Sequence, residues 1–238
     1  MCRWTRTFHQ ILEVIRVRIG QQRFATSALV VKNQFGFKKG SSCSHAIRVV
    51  RSAVDDIIRG GSTANLCSID LSKAFDKVNH HALYLKLMER FILNELLLAL
   101  LEFWLSSCYS RVKWDNAWSN PFLLGFGVRQ GSVLSPYLFA VYVDDLTSTC
   151  SSLRGLFIVL YADDILLIAP SICGLEKMLR ICEDELVKID ILVNTRKSSC
   201  LRIGPRHNNR CLAVSLSTGV IQWADEIPRC VYYALLYL

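Results

Sequence analysis

Tyr161-Ala162-Asp163-Asp164 sits between two apolar runs, Leu156–Leu160 and Ile165–Ala169. Both runs are rich in Ile, Leu and Val and short enough to be strands. The pattern predicts a hairpin whose tight turn carries the two acids at the edge of a core. Asp is rarely buried unless it is paired or bound to a metal. An Asp pair on a turn at the end of buried strands therefore points to a divalent-metal site. Ordinary turn chemistry, which also favours Asp, is the competing explanation, and the four residues alone do not choose between them. A third acid and two further motifs lie upstream in a fixed order, and they weigh against it.

The third acid, Asp70, ends the apolar run Leu66–Leu71, within Ser68-Ile69-Asp70-Leu71-Ser72-Lys73-Ala74-Phe75-Asp76. Two strand ends bearing Asp70 and Asp163 can meet side by side in an antiparallel sheet and share two magnesium ions. Magnesium prefers hard oxygen ligands and uses one or two carboxylates plus substrate phosphates. Two such ions clamp the attacking and leaving oxygens of a phosphoryl transfer. Taken by itself, Asp70 reads as a helix N-cap or a solvated strand end.

The chain has 238 residues, 52% hydrophobic and 20% charged. That is enough for a sizeable core, in one large domain or two closely packed subdomains. A net charge of +8 and a pI near 9.0 fit a polyanionic partner, nucleic acid or an acidic membrane surface, without choosing between them. The ten Cys are scattered, with no Cys-x-x-Cys pair and no zinc spacing. They read as reduced thiols of an intracellular protein. The basic N-terminus has no continuous apolar stretch of the secretory kind. Leu96–Leu105 is too short to span a bilayer and contains Glu102, and Val231–Leu238 is shorter still. The expectation is a nuclear or cytoplasmic protein, neither secreted nor membrane-bound.

Along the chain, a helix is expected around Ile11–Ile19. Asn33–Cys43 forms a Gly/Lys/Ser loop. An amphipathic helix follows over Ser44–Ile58, with Ala46, Ile47, Val50, Val54, Ile57 and Ile58 at helical spacing, ended by Gly60-Gly61. Leu66–Leu71 reads as a buried strand, His80–Phe91 and Asn94–Ser106 as helices, and Val112–Phe126 as a hairpin turning at Asp115-Asn116. A helix over Pro136–Leu146, the Asp-bearing hairpin, a helix over Leu175–Ile189 and a strand over Cys200–Ile203 complete the series. The order implies an α+β plan, an antiparallel sheet with helices on one face.

Asp70-x-x-x-x-Phe75-Asp76, Gln130-Gly131-Ser132-Val133-Leu134-Ser135-Pro136 and Tyr161-Ala162-Asp163-Asp164 resemble, in order, the polymerase motifs of reverse transcriptases. The wording is closest to the non-LTR, LINE-like retrotransposon group. Asn33-Gln34-Phe35-Gly36-Phe37-Lys38-Lys39-Gly40-Ser41-Ser42 resembles that group's fingers segment, and Asn194-Thr195-Arg196-Lys197-Ser198 its later lysine-bearing motif. The likeness covers roughly residues 33–204. It implies a right-hand polymerase fold, fingers and palm, with an antiparallel palm sheet backed by helices.

The resemblance also implies roles. Asp70 and Asp163 would be the main ligands of two magnesium ions, for which manganese can substitute. The Leu71 carbonyl would help, and Asp164 would be the less direct acid. Phe75 would be the steric gate that rejects a 2′-hydroxyl; its ordinary alternative is core packing. Gln130 and Gly131 would line the nucleotide and template pocket, where Gly permits close backbone approach and Gln offers hydrogen bonds; they otherwise form a loop leading into a helix with Pro136 in its first turn. Lys38 and Lys39 would hold the triphosphate, or else be merely solvated. Lys38 stands where relatives commonly carry Arg, keeping the charge and losing the bidentate fork. Lys197 would protonate or neutralise the leaving pyrophosphate, or else be an ordinary exposed lysine. The implied partners are an RNA template, a DNA primer and deoxynucleoside triphosphates.

The match weakens at both ends. Residues 1–32 fit the group poorly. The stretch Trp223-Ala224-Asp225-Glu226-Ile227-Pro228-Arg229-Cys230-Val231-Tyr232-Tyr233 stands where relatives carry a Tyr-Leu-Gly turn leading to a thumb. The expected organisation is a poorly matched segment at 1–32, a fingers–palm domain at 33–204, and a diverged or truncated palm–thumb junction at 205–238. The thumb is expected absent or truncated, and endonuclease function absent from this chain. The rival expectation is an inactive retroelement fragment that at most binds nucleic acid through its charge.

Overall fold

The computed structural model describes residues 34–36, 42–90, 95–132, 134–151, 153, 155–209 and 211–224. Lys38, Lys39, the helix expected around Ile11–Ile19 and the tail from Asp225 onward lie outside them. The elements in order are α1 (Cys43–Arg59), β1 (Ala64–Ile69), a 3-10 turn (Phe75–Lys77), α2 (His80–Glu89), α3 (Glu95–Ser106), β2 (Tyr109–Ser110), β3 (Lys113–Trp114), β4 (Ala117–Trp118), β5 (Phe122–Leu123), α4 (Ser135–Ser151), β6 (Phe157–Tyr161), β7 (Asp164–Ala169), α5 (Ile172–Val187), β8 (Ser199–Ile203), β9 (Val214–Leu216) and β10 (Gly219–Trp223). They fall into two compact units. Asn79–Gly127 belong to one, and the described residues on either side of that segment form the other.

In the larger unit, β1 lies inside a six-stranded sheet of order β6-β7-β1-β8-β10-β9. β1 pairs antiparallel with β7, Ile69 opposite Ile165, and antiparallel with β8, Cys67 opposite Cys200. The sheet is not wholly antiparallel as expected, because β10 runs parallel to β8. Nor do the helices keep to one face. α1 lays Ala46, Val50, Ala53, Val54 and Ile57 on Ala64, Leu66, Val159, Leu166 and Ile168, which share one side of the pleat. The alternate side, with Cys67 and Leu167, meets α5, whose Cys182 lies beside Cys67. The physical reason is legible in β7: Ile165–Ala169 has no polar alternation and is buried throughout, as a strand covered on both faces must be.

Local chemistry sets the helix ends. The Ser42 hydroxyl caps α1 by accepting from the His45 amide, and Gly60, whose amide donates to Asp56 O at 3.1 Å, closes it. α5 starts at Ile172, earlier than the apolar spacing suggested, because Ser171 caps it through the Gly174 amide. α4 is likewise longer than the expected Pro136–Leu146. The Tyr142 hydroxyl on α4 is buried and donates to Ile189 O at 2.7 Å, tying α4 to the end of the α5 segment.

The β9–β10 hairpin was not foreseen. It is held by Glu183 on α5, a 9% exposed carboxylate that accepts from Ser217 N at 2.9 Å, Ser217 Oγ at 2.7 Å and Thr218 N at 3.4 Å. Those three donors meet the requirement that a buried charge be hydrogen-bonded. The hydrogen bond with Cys200, then burial, pushes the Cys67 thiol well above its ordinary value.

The smaller unit holds α2, α3 and the nested strands β2–β5. The expected turn at Asp115-Asn116 joins β3 to β4, with Asp115 at φ 49, and β2–β5 pairing extends the hairpin back to Tyr109. Asn79 caps α2 through the amides of His81 and Ala82. The Tyr84 hydroxyl is pushed up to about 12 by burial and by the Glu102 carboxylate. Among the described residues, no helix is long and apolar enough to cross a membrane.

Candidate active site

The β1–β7 register decides which acids meet. Paired residues sum to the same total from Asn65↔Ala169 to Ile69↔Ile165. Continued one step past the last pair, the register sets Asp70 opposite Asp164, with Asp163 next to it in the turn. The turn between β6 and β7 consists of Ala162 and Asp163, since Tyr161 pairs with Asp164. Asp163 is exposed, while Asp70 and Asp164 are half-buried. The sequence-expected acids therefore come together at one end of the sheet.

Each acid is held by a motif from elsewhere in the chain. After Val193 the chain leaves the side of β1 in a single turn, with Lys197 N and Ser198 N donating to Asn194 O, and rejoins it as β8. Asn194 Nδ2 donates to Asp70 Oδ2 at 3.1 Å, Asn194 N donates to Asp70 O at 2.9 Å, and Asp70 N donates to Ser198 Oγ at 3.0 Å. Lys197 is exposed within this same turn. Leu71 and Val193 form an isolated antiparallel bridge whose hydrogen bonds are Ser72 N to Leu192 O and Asn194 N to Asp70 O. In such a non-hydrogen-bonded pair Leu71 uses neither of its own backbone groups. Its carbonyl faces away from Val193, toward the β7 side of β1.

The other acid-bearing turn is strained. Ala162 adopts φ 59, a left-handed conformation that costs a non-glycine residue about 1–2 kcal/mol. The Gln34-Phe35-Gly36 segment lies against it. Gln34 is 4% exposed; its Oε1 accepts from Ala162 N at 3.0 Å and Gly36 N at 2.8 Å, and its Nε2 donates to Ala162 O at 3.1 Å. Phe35 N donates to Leu160 O at 2.8 Å. A Cβ on Gly36 would stand 2.4 Å from Ala162 N, so the approach requires glycine.

A second group gathers around the 3-10 turn. The half-buried Phe75 ring lies 4.7 Å from the Phe139 ring, centroid to centroid, and Phe75 O accepts from Val128 N at 2.8 Å. Gln130 Nε2 donates to Asp76 Oδ1 at 3.2 Å. Gly131 has φ +80 with nothing within 4 Å of an added Cβ, so glycine serves backbone conformation there and leaves open space. Phe75, Gln130 and Gly131 are thus neighbours. Lys38 and Lys39 lie outside the described residues.

The oxygen set fits magnesium. Asp70 and Asp163 offer carboxylates and Leu71 a carbonyl, all hard donors. Among the described residues, Asn194 alone donates to the Asp70 carboxylate, and none donates to or ion-pairs with that of Asp163. No three His, Cys, Asp or Glu side chains among the described residues form a closed cage. An ion there would complete its shell from water and phosphate oxygens, as magnesium does. Gln34, Asn194 and Ser198 stood inside the quoted motifs without a role. Their only signal was a side-chain amide or hydroxyl within a few residues of a glycine or a lysine.

A family model described as reverse transcriptase (RNA-dependent DNA polymerase) matches residues 7–225. A Drosophila melanogaster relative, described as a probable RNA-directed DNA polymerase from transposon X-element, is 26% identical over 234 residues, which are 94% of this chain and 24% of the relative. The RNA-directed DNA polymerase from mobile element jockey of Drosophila funebris is 28% identical over 180 residues, 71% of this chain and 19% of that protein. The chain spans 16% to 24% of the length of these and the similar transposon BS protein. Among solved structures, apo telomerase from Candida tropicalis truncated from its C-terminal domain matches with a TM-score of 0.63 at 14% identity, covering 88% of this chain and 44% of that one. Telomerase from Candida albicans in complex with a TWJ fragment of telomeric RNA matches with a TM-score of 0.61 at 15% identity, covering 88% and 38%. The likeness shows a shared fold, consistent with polymerase fingers and palm.

Asn194→Ala removes the side-chain donor to Asp70. It is expected to lower stability by about 1 kcal/mol, read as a lower urea midpoint at unchanged slope; an unchanged midpoint would show that this hydrogen bond holds nothing.

Proposed function

Because the chain belongs to the reverse transcriptase (RNA-dependent DNA polymerase) family, we propose that it carries the polymerase centre of a non-LTR retrotransposon reverse transcriptase. It adds deoxynucleotides to a DNA primer on an RNA template. The observation that supports this most directly is the register that brings Asp70 and the Asp163 turn to one end of β1 and β7.

Asp70, Asp163 and the Leu71 carbonyl would hold two magnesium ions, manganese serving as a substitute, with Asp164 the less direct acid. Bound there, the ions supply Lewis-acid stabilisation of the attacking and leaving oxygens. The primer 3′-hydroxyl gives its proton to solvent as its oxygen bonds to the α-phosphorus, the α–β phosphoanhydride breaks, and the electron pair leaves with pyrophosphate. Lys197 in the turn beside Asp70 neutralises or protonates that leaving group. Lys38 and Lys39 take the triphosphate as point charges. Gln130 and Gly131 border the nucleotide, with Gln130 oriented by its bond to Asp76. Phe75, seated against Phe139, packs under the incoming sugar and rejects a 2′-hydroxyl. The net charge of +8 grips the template–primer backbone without reading sequence. Positioning and charge neutralisation supply most of the rate.

Two measurements test this. Primer extension on poly(rA)–oligo(dT) with magnesium is expected from the wild-type chain and is expected to fall by at least about 100-fold in Asp163→Asn. A folded wild-type chain that binds RNA, with steep salt dependence, yet never extends the primer would instead be the inactive fragment. Phe75→Ala is expected to raise ribonucleotide use relative to deoxynucleotide use by about 10- to 100-fold; unchanged discrimination would assign Phe75 to core packing alone.

A further inference from the structure

We infer that Gln34 is a positioning residue for the polymerase centre, acting through Ala162 to fix the turn that presents Asp163. This rests on the proposed reading of Asp163 as a metal ligand.

A two-residue turn at the end of a hairpin has no inherent reason to stay in one shape when its first residue is a left-handed alanine. Ala162 has φ 59, and its amide and carbonyl both point at the Gln34 carboxamide. That one side chain satisfies both backbone groups of the residue preceding Asp163. Its Oε1 accepts a second hydrogen bond, from Gly36 N at 2.8 Å, which fixes the orientation of the amide. Gln34 is itself anchored, bridged in parallel to Leu160 at the edge of the sheet, with Phe35 N donating to Leu160 O. The absence of a side chain at Gly36 lets this backbone reach the turn.

A carboxylate in this position cannot donate to Ala162 O, and an aliphatic side chain satisfies neither group. Gln34 is 4% exposed, so water does not readily replace it. The carboxamide is thus matched to the turn by both of its ends. It does not touch the reacting atoms; its effect is the angle at which Asp163 leaves the hairpin. Groups that orient metal ligands in this indirect way are worth about 10- to 100-fold in metal affinity or activity.

The test compares the wild-type chain with Gln34→Leu, Gln34→Glu and Asp163→Asn. Three quantities are read: Mn2+ binding by the loss of free-ion EPR signal, hydrogen exchange at the Ala162 amide, and primer extension resolved into kcat and KM. Gln34→Leu is expected to weaken Mn2+ binding about 10-fold or more, to speed exchange at Ala162, and to lower kcat with KM for the nucleotide nearly unchanged. Ala162→Gly, which relieves the left-handed strain, is expected to shrink the effect of Gln34→Leu in the double variant. If Gln34→Leu does not fold, Gln34→Glu carries the same comparison, because it keeps the size and loses the donor. Wild-type Mn2+ binding and exchange in both Gln34 variants, with Asp163→Asn defective, would overturn the inference alone. A wild-type chain that binds no Mn2+, or an Asp163→Asn chain that binds it equally well, would overturn the reading on which it rests. Additive effects of Gln34→Leu and Ala162→Gly would likewise overturn the coupling through the turn.

Discussion

The pairing of β1 with β7 is the constraint on which the rest depends. With Ile69 opposite Ile165, two strand ends carrying carboxylates finish side by side. A slip of one residue would turn every side chain of β7 to the other face. The slip is resisted because both faces are occupied. α1 claims Leu66, Leu166 and Ile168, and α5 meets the side holding Cys67 and Leu167. Packing far from the acids therefore sets their spacing.

Among the described residues, the end of the sheet is finished by amide and hydroxyl hydrogen bonds rather than by salt bridges. The Asn194–Ser198 turn holds Asp70, and the Gln34–Gly36 segment holds Ala162. Amide and hydroxyl partners fix geometry without neutralising charge. No described cation pairs with the carboxylate of Asp70 or of Asp163. Such an arrangement suits divalent ions, which take hard oxygen ligands.

Much of this was legible in the sequence, for physical reasons that differ by element. α1 declared itself by Ala46, Val50, Val54 and Ile57 at helical spacing, and the Asp hairpin by two apolar runs around a turn. In β7 a run without polar alternation signals cover on both faces, and the structure has helices there. The β9–β10 hairpin was hidden because its strands are short and its turn, Ser217-Thr218, is stabilised by a distant carboxylate, Glu183. Its parallel pairing with β8 joins segments with no local signature. At the site, Asp70 and Asp163 stood out as acids at predicted strand ends, and Phe75 only through the resemblance of its motif to reverse transcriptases. Gln34 and Asn194 did not, since an amide shows its purpose only when the backbone groups it satisfies are known.

The proposed sharing of divalent metal by Asp70 and the Asp163 turn can be mapped directly on the backbone. Ferrous ion loaded in place of magnesium, followed by ascorbate and peroxide, cleaves backbone within a few ångströms of where it binds. Two clusters of cuts are expected, at Asp70–Leu71 and at Ala162–Asp164, both suppressed by excess magnesium and both lost in Asp163→Asn. Cuts at one cluster only, or cuts elsewhere that Asp163→Asn leaves intact, would contradict that sharing.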